Sequence, residues 1–265
     1  MNIPCDLVDL ESGELTTRDL QDCLKQFRYF PHLVEWLLGP AHDGTVLRKL
    51  IENTHAVVQR ERPMGWRKQL SREDGAKGVR PEDRWERTMW RKWRPFKGNM
   101  PVTVFHALAP MILSYQLPLY GKQESEGWGK IDLVGISGEY LPVVIEVKAE
   151  YSAESPLAVV LEAVRYGIAL REMWERGLRD DWTGALQDVG IVGQPLPRRL
   201  EQCQLICAAP WEYWKRLGPM TSNDEQNRGA WIALREICAK LAADHGLPVE
   251  FVQLEFSAKT LSTGR

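Results

Sequence analysis

The stretch GKIDLVGISGEYLPVVIEVKAE, residues 129–150, constrains the fold of this chain more than any other. Val143, Val144, Ile145 and Val147 make its second half almost wholly apolar. That is the pattern of a central strand covered on both faces, and edge strands are rarely so apolar. Gly135, Ser137 and Gly138 interrupt the run and predict a hairpin between strands at 128–136 and 140–149. Glu146 and Lys148 lie two positions apart, so their side chains leave the same face of their strand. Two charges at the end of such a strand are costly unless paired or bound to something. Asp132, on the adjoining strand of the hairpin, is placed to meet them. Asp132, Glu146 and a backbone carbonyl, most simply that of Val147, make an all-oxygen site suited to Mg²⁺ or Mn²⁺, with Lys148 beside it. The plainer alternative is a Glu–Lys pair on a sheet edge with Asp132 in a turn.

The flanking signals set this hairpin in a larger sheet. Pro101 suits the first turn of a helix over 101–114, which would carry His106. Strands are expected over 115–120, 128–136 and 140–149, then a long helix over 157–176 opened by Pro156. A strand over 204–209, helical segments near 211–217 and 227–244 ended by Gly246, and a strand over 249–256 complete the pattern. The order α-β-β-β-α-β-α-β fits an α/β fold, a mixed sheet flanked by helices. In front of it, helices are expected over 17–39, interrupted near Pro31, and from Asp43 or Thr45 to about residue 62. A Gly- and Pro-punctuated loop over 63–82 and a short helix over 83–94 follow. The chain thus reads as a helical, basic, Trp-rich region over 1–100 and an α/β domain over 101–265.

Charge is distributed unevenly. The 34 basic and 36 acidic residues give a net −2, which alone implies no polyanionic partner. Between residues 60 and 97, however, 13 Lys/Arg accompany 6 Asp/Glu, a local +7, together with Trp66, Trp85, Trp90 and Trp93. Cationic side chains attract phosphates and indole faces stack on unpaired bases. Arg91, Lys92, Arg94, Trp90 and Trp93 are therefore candidate nucleic-acid contacts. The alternative is a helix whose tryptophans anchor it to the core while its arginines snorkel into water. No apolar run approaches the roughly 20 residues of a membrane span. The N-terminus lacks the basic-then-apolar order of a secretory signal. Five cysteines without a CxxC pair argue against a disulfide framework or a zinc ribbon. A cytoplasmic protein without a membrane partner is the expectation, and no GxSxG elbow marks a serine hydrolase.

The set Asp132, Glu146 and Lys148 resembles the motif of the PD-(D/E)xK nuclease superfamily, with its restriction-endonuclease-like or RecB-like core of a helix, a three-stranded meander, a helix and further strands. Asp132 matches the first acidic residue, here in GKID without the preceding proline, and Glu146 and Lys148 match the ExK half around Val147. The resemblance spans roughly residues 101–256. It implies that Glu162 and Tyr166, four apart in LEAVRYGIAL, stand where many relatives carry a Gln and a Tyr, although Glu162 departs from the usual Gln. Arg165 beside them becomes a candidate phosphate contact. The resemblance also offers His106 as a further metal ligand, as in some RecB-like members.

The activity so implied is that of a Mg²⁺- or Mn²⁺-dependent nuclease hydrolysing phosphodiester bonds in nucleic acid, DNA more than RNA. Asp132 and Glu146 would hold the cation, and Lys148 would orient water or stabilise developing negative charge. Glu150 and Glu154 lie just beyond the motif: one of them could support a second metal, although both read first as solvated loop carboxylates. A homodimer is compatible with such folds. Two other readings stay open: a catalytically silent nuclease-like binding module, and a defence-type effector whose N-terminal region senses a partner.

Overall fold

The computed structural model describes residues 30–38, 81–96, 100–118, 130–215 and 225–255, together with positions 48, 51, 52, 54, 66 and 70. Most of the helix expected up to residue 62, the loop after it and the segment 17–29 lie outside the described residues. Two helices, α1 (Phe30–Leu38) and α2 (Pro81–Trp93), precede a five-stranded sheet. Its strands are β1 (Met111–Pro118), β2 (Lys130–Ile136), β3 (Pro142–Val147), β4 (Leu205–Pro210) and β5 (Val249–Leu254), side by side in chain order.

The first three strands form an antiparallel meander, and β4 and β5 then add parallel to β3. Parallel neighbours need crossovers, and helices supply them. Helix α3 (Pro156–Met173), a π turn at Trp174–Leu178 and α4 (Arg179–Asp188) join β3 to β4. Helices α5 (Trp211–Trp214) and α6 (Glu225–His245) join β4 to β5, and Gly246, at φ +63°, ends α6 as the sequence predicts. The result is an α/β protein with a mixed sheet flanked by helices.

Why β3 sits centrally is visible in its side chains. Val143, Val144, Ile145 and Val147 are all completely buried, each worth roughly 1.5–3 kcal/mol of apolar burial. One face of the sheet packs α1, α3, α4 and α6, with Val144 and Leu205 meeting Val164, Trp182 and Leu241 in one core. The other face packs α2, whose Trp85, Met89, Trp90 and Trp93 meet Leu133, Val143 and Ile145. Helix α2 thus lies before residue 100 and yet shares a core with the sheet. On the first face, a Cβ on Gly167 of α3 would stand 2.7 Å from Leu205 Cδ2. The missing side chain lets α3 lie close over β4.

Residues 101–114 do not form the expected helix. The chain turns tightly instead: His106 and Ala109 exchange backbone hydrogen bonds at 3.3 and 3.1 Å, Phe105 N–H donates to Pro110 O at 3.0 Å, and β1 begins at Met111. β-Branched Val102, Thr103 and Val104 favour extended backbone, and Pro110 has no N–H to continue a helix. The helix preceding the meander is therefore the tryptophan-bearing α2. Among the described residues, no helix is long and apolar enough to cross a membrane.

Candidate active site

The β2–β3 ladder ends where Leu133 pairs with Ile145. Beyond that point a side chain takes over from the backbone: Asp132 Oδ2 accepts the N–H of Val147 at 2.8 Å. The acidic residue of β2 is thereby fixed against the strand that carries Glu146 and Lys148. Both of those are buried, at 1% and 5% exposure. Lys148 Nζ lies 2.8 Å from Glu146 Oε1, 2.7 Å from Glu154 Oε2 and 3.1 Å from Glu162 Oε2. One ammonium thus stands among three carboxylates from β3, the loop after it and α3.

Helix α3 reaches the site because of how it starts. Ser155 caps it by accepting the N–H of Ala158 at 3.2 Å, and Pro156 follows in its first turn. One turn on, Glu162 and Tyr166 share a face, and Tyr166 OH donates to Glu162 Oε1 at 3.3 Å. Tyr213 OH donates to the backbone carbonyl of Glu154 at 2.9 Å, steadying that loop. Glu154 is therefore a partner of Lys148, and Glu150 accepts the indole N–H of Trp85 at 3.0 Å. Neither is the merely solvated loop carboxylate expected from the sequence.

A fifth acid arrives from the opposite face of the sheet. Glu86 on α2 is 3% exposed, and its Oε2 accepts from Gln116 Nε2 at 3.2 Å. The same amide donates to Asp83 Oδ1 at 3.1 Å. Gln116 sits in β1 with φ +48°, a left-handed conformation a glutamine seldom adopts and one that marks stored strain. Sequence reasoning missed Glu86. The signal was there in RWERTMW: a glutamate flanked by Trp85, Met89 and Trp90 at helical spacing, an acid inside an apolar stripe.

The electrostatics follow from crowding and burial. Burial pushes the Glu86 carboxyl up to about 8, with Gln116 pulling the other way and Asp83 and Glu146 adding to the rise. Burial likewise holds Asp132 well above the carboxylate range, reinforced by Glu86 and opposed by Lys148. Glu146 is raised by burial and by the Asp132 charge. For Lys148, burial alone would favour the neutral amine, but Glu146, Glu162, Asp132 and Glu154 together outweigh it and hold the ammonium well above its ordinary range. Glu162 goes the other way: despite its desolvation, Lys148 keeps it below the usual value. The site gathers more buried carboxyls than its single internal cation can balance, so burial and crowding favour the protonated forms of Glu86, Asp132 and Glu146.

Such a cluster has the chemistry of a hard-cation site. Among the described residues, no group of three or more His, Cys, Asp or Glu is arranged to hold a metal ion. One oxygen of the set is nonetheless open to a cation: Glu146 Oε2 is buried with no hydrogen-bond partner, and the Asp132 charge acts on the same carboxyl. A buried, unpartnered carboxylate oxygen is costly unless something positive meets it.

The other candidates are placed apart. His106 lies in the turn before β1, where its Nδ1 accepts the N–H of Leu108 at 3.3 Å. Met111, at the end of that turn, pairs with Ile136, four residues along β2 from Asp132. The turn is therefore at the other end of the strand, and His106 does not join the site. Trp90 and Trp93 are buried against the sheet, and Trp90 Nε1 donates to Leu113 O at 3.2 Å. Their indole faces are not offered to bases, so they anchor α2 instead of stacking. Arg91 and Lys92 are exposed on the outer side of α2, and Arg94 lies over the Trp90 ring at 4.3 Å. Arg165 is half-buried on α3 next to Tyr166. Compared with known proteins, the chain matches no family model, no curated protein and no solved structure.

Proposed function

We propose that this chain is a metal-dependent nuclease of the PD-(D/E)xK type, hydrolysing phosphodiester bonds in nucleic acid, with DNA the favoured substrate. The observation that carries the proposal is the convergence of Asp132, Glu146 and Lys148 at one end of β2 and β3, with Glu146 Oε2 left unpartnered. Asp132, Glu146 and the carbonyl of Val147 are the residues that would hold Mg²⁺ or Mn²⁺. Such a cation, when bound, supplies Lewis acidity toward phosphoryl oxygens.

The chain's own groups supply the rest. Lys148 brings a compact ammonium to where negative charge develops during displacement at phosphorus. Glu154 and Glu162 hold that ammonium in place from two sides, at 2.7 and 3.1 Å. Tyr166 in turn steadies Glu162. Glu86, whose carboxyl is held up to about 8, adds negative charge toward Asp132 as it ionises, and that charge strengthens the site's preference for a doubly charged cation. Arg91 and Lys92 line the outer side of the helix that delivers Glu86, with Arg94 just past its end, suited to phosphates away from the reacting bond.

A digestion panel tests this: single- and double-stranded DNA and RNA, with Mg²⁺, Mn²⁺ or EDTA, for the native chain and Asp132→Asn. Cleavage of at least one substrate that needs the cation and disappears in Asp132→Asn is the expected result. No cleavage of any substrate with either cation, or equal cleavage by Asp132→Asn, overturns it.

A further inference from the structure

The end of α2 remote from Glu86 carries a feature the hydrolytic site does not use. Val102 is fully exposed, Val104 is 64% exposed and Met100 52%, with Phe96 and Leu108 also turned to solvent. Isolated surface valines are ordinary, but five large apolar side chains within thirteen positions form a patch that wants a partner. The patch has a firm base. Phe105 packs on Trp93 at 5.0 Å between ring centroids, Ala109 is buried, and backbone bonds close the turn from Phe105 to Pro110. Met100, Val102 and Val104 lie on the segment that leads directly into this closed turn.

Among the described residues, three cations stand close by in the chain. Arg91 and Lys92 are exposed, Lys92 Nζ stands 4.5 Å over the Trp93 ring, and the Arg94 guanidinium lies 5.2 Å from the Phe96 ring. From residue 87 to residue 123 the sequence has six Lys or Arg and no Asp or Glu, where 36 acids in 265 residues would place about five. A neutral or basic protein surface gains nothing from such a rim. A polyanion with an apolar interior does. Duplex nucleic acid is that partner: cations take the phosphates while an apolar side chain enters between base pairs and partly unstacks them.

We propose that the 100–104 segment is a wedge that inserts Val102 and Val104 into duplex nucleic acid gripped by the basic side of α2. The choice of polyanion rests on the nuclease reading above. Glu86 and Trp93 are seven residues apart on α2, about 10 Å, which sets the scale of the offset between wedge and acidic cluster at about three base steps. The wedge distorts the duplex a few base steps from the reacting phosphate and makes cleavage depend on how readily the wedged step unstacks.

The test uses the full chain in EDTA, so that binding is read without cleavage, on duplexes carrying 2-aminopurine at successive positions. Fluorescence should rise severalfold on binding, and Val102→Ser/Val104→Ser should abolish the rise while leaving the salt dependence of affinity unchanged. Both valines are exposed, so the double variant should keep the native melting temperature. Tight duplex binding with no rise at any position overturns the wedge, as does a rise that survives in the double variant. Binding to vesicles containing phosphatidylserine that needs both valines, without duplex unstacking, assigns the patch to a membrane surface and also overturns it. A valine-dependent rise with no cleavage in Mn²⁺ keeps the wedge and removes the hydrolase. Absence of duplex binding at low salt removes both.

Discussion

Asp132 Oδ2 accepts the backbone N–H of Val147 at 2.8 Å, and this bond ties the acid of one strand to the residue between Glu146 and Lys148 on the next. The same carboxyl therefore has two duties, one structural and one proposed as chemical. Substitution can separate them. Asp132→Asn keeps an acceptor for Val147 but removes the charge. Because burial already raises the Asp132 carboxyl, a neutral amide is not penalised there. Asp132→Asn should keep or raise the melting temperature, while cation-dependent cleavage falls on the order of 10³-fold. Asp132→Ala also orphans the Val147 N–H and should be less stable than Asp132→Asn by about 1–3 kcal/mol. Thermal melts of both variants beside single-turnover cleavage check the split.

Lys148 is the internal counter-ion of the cluster, and removing it leaves Glu146, Glu154 and Glu162 facing one another. Lys148→Met should cost about 3 kcal/mol at pH 7.5, toward the low end for a buried pair because Glu154 and Glu162 are partly solvated. The loss should shrink as pH falls toward 5, where the freed carboxylates bind protons. A divalent cation should replace the missing charge, so Mn²⁺ should raise the melting temperature more in Lys148→Met than in the native chain. Differential scanning fluorimetry across pH with and without Mn²⁺ measures both effects. An equal Mn²⁺ shift in the two proteins contradicts the idea that ammonium and metal ion serve the same carboxylates.

What could be read from the sequence was whatever lay along one strand or one helical face. Glu146 and Lys148 were legible because a two-residue spacing on an apolar strand leaves little choice of face. Asp132 followed from the hairpin, and Glu162 with Tyr166 from the four-residue repeat of a helix. Glu86 was hidden because it lies 46 positions before Asp132 in the chain, within a run whose excess of arginine reads as wet surface. Only packing α2 on the sheet turns that glutamate inward. The segment 101–114 misled for a related reason: an apolar run broken by Pro110 fits a short helix or a turn leading into a strand, and local pattern alone does not choose. His106 followed that segment away from the site.

The outer side of α2 makes a prediction in salt. Each phosphate contact neutralised by a cation contributes about −0.9 to the slope of log affinity against log salt on duplex DNA. Arg91→Gln/Lys92→Gln should therefore reduce the magnitude of that slope by about 1.8 while leaving the melting temperature near native, since both side chains are exposed. Fluorescence anisotropy with a labelled duplex in EDTA, from low to moderate salt, reads the slope directly. A slope identical to that of the native chain removes this side of the helix from the interface.

Glu86 supplies the clearest dependence on pH. Its carboxyl moves from an ordinary 4.5 to about 8 in the folded chain, chiefly through burial. A carboxyl raised on folding stabilises the protein while protonated, fully so below 4.5. That contribution is lost as pH rises from 4.5 through about 8. Glu86→Gln carries a permanent neutral amide in the same place. The two proteins should therefore melt alike near pH 4.5 and diverge as pH increases. By pH 8 to 9 Glu86→Gln should be the more stable by roughly a few kcal/mol. The loss of one negative charge should also lower the Asp132 carboxyl and weaken divalent-cation binding, so the variant gains stability as it loses affinity for Mn²⁺. Melting curves at half-unit pH intervals, with Mn²⁺ calorimetry at pH 8, test both halves. Parallel melting profiles for the two proteins across this range would place the Glu86 carboxyl in water and detach α2 from the acidic cluster.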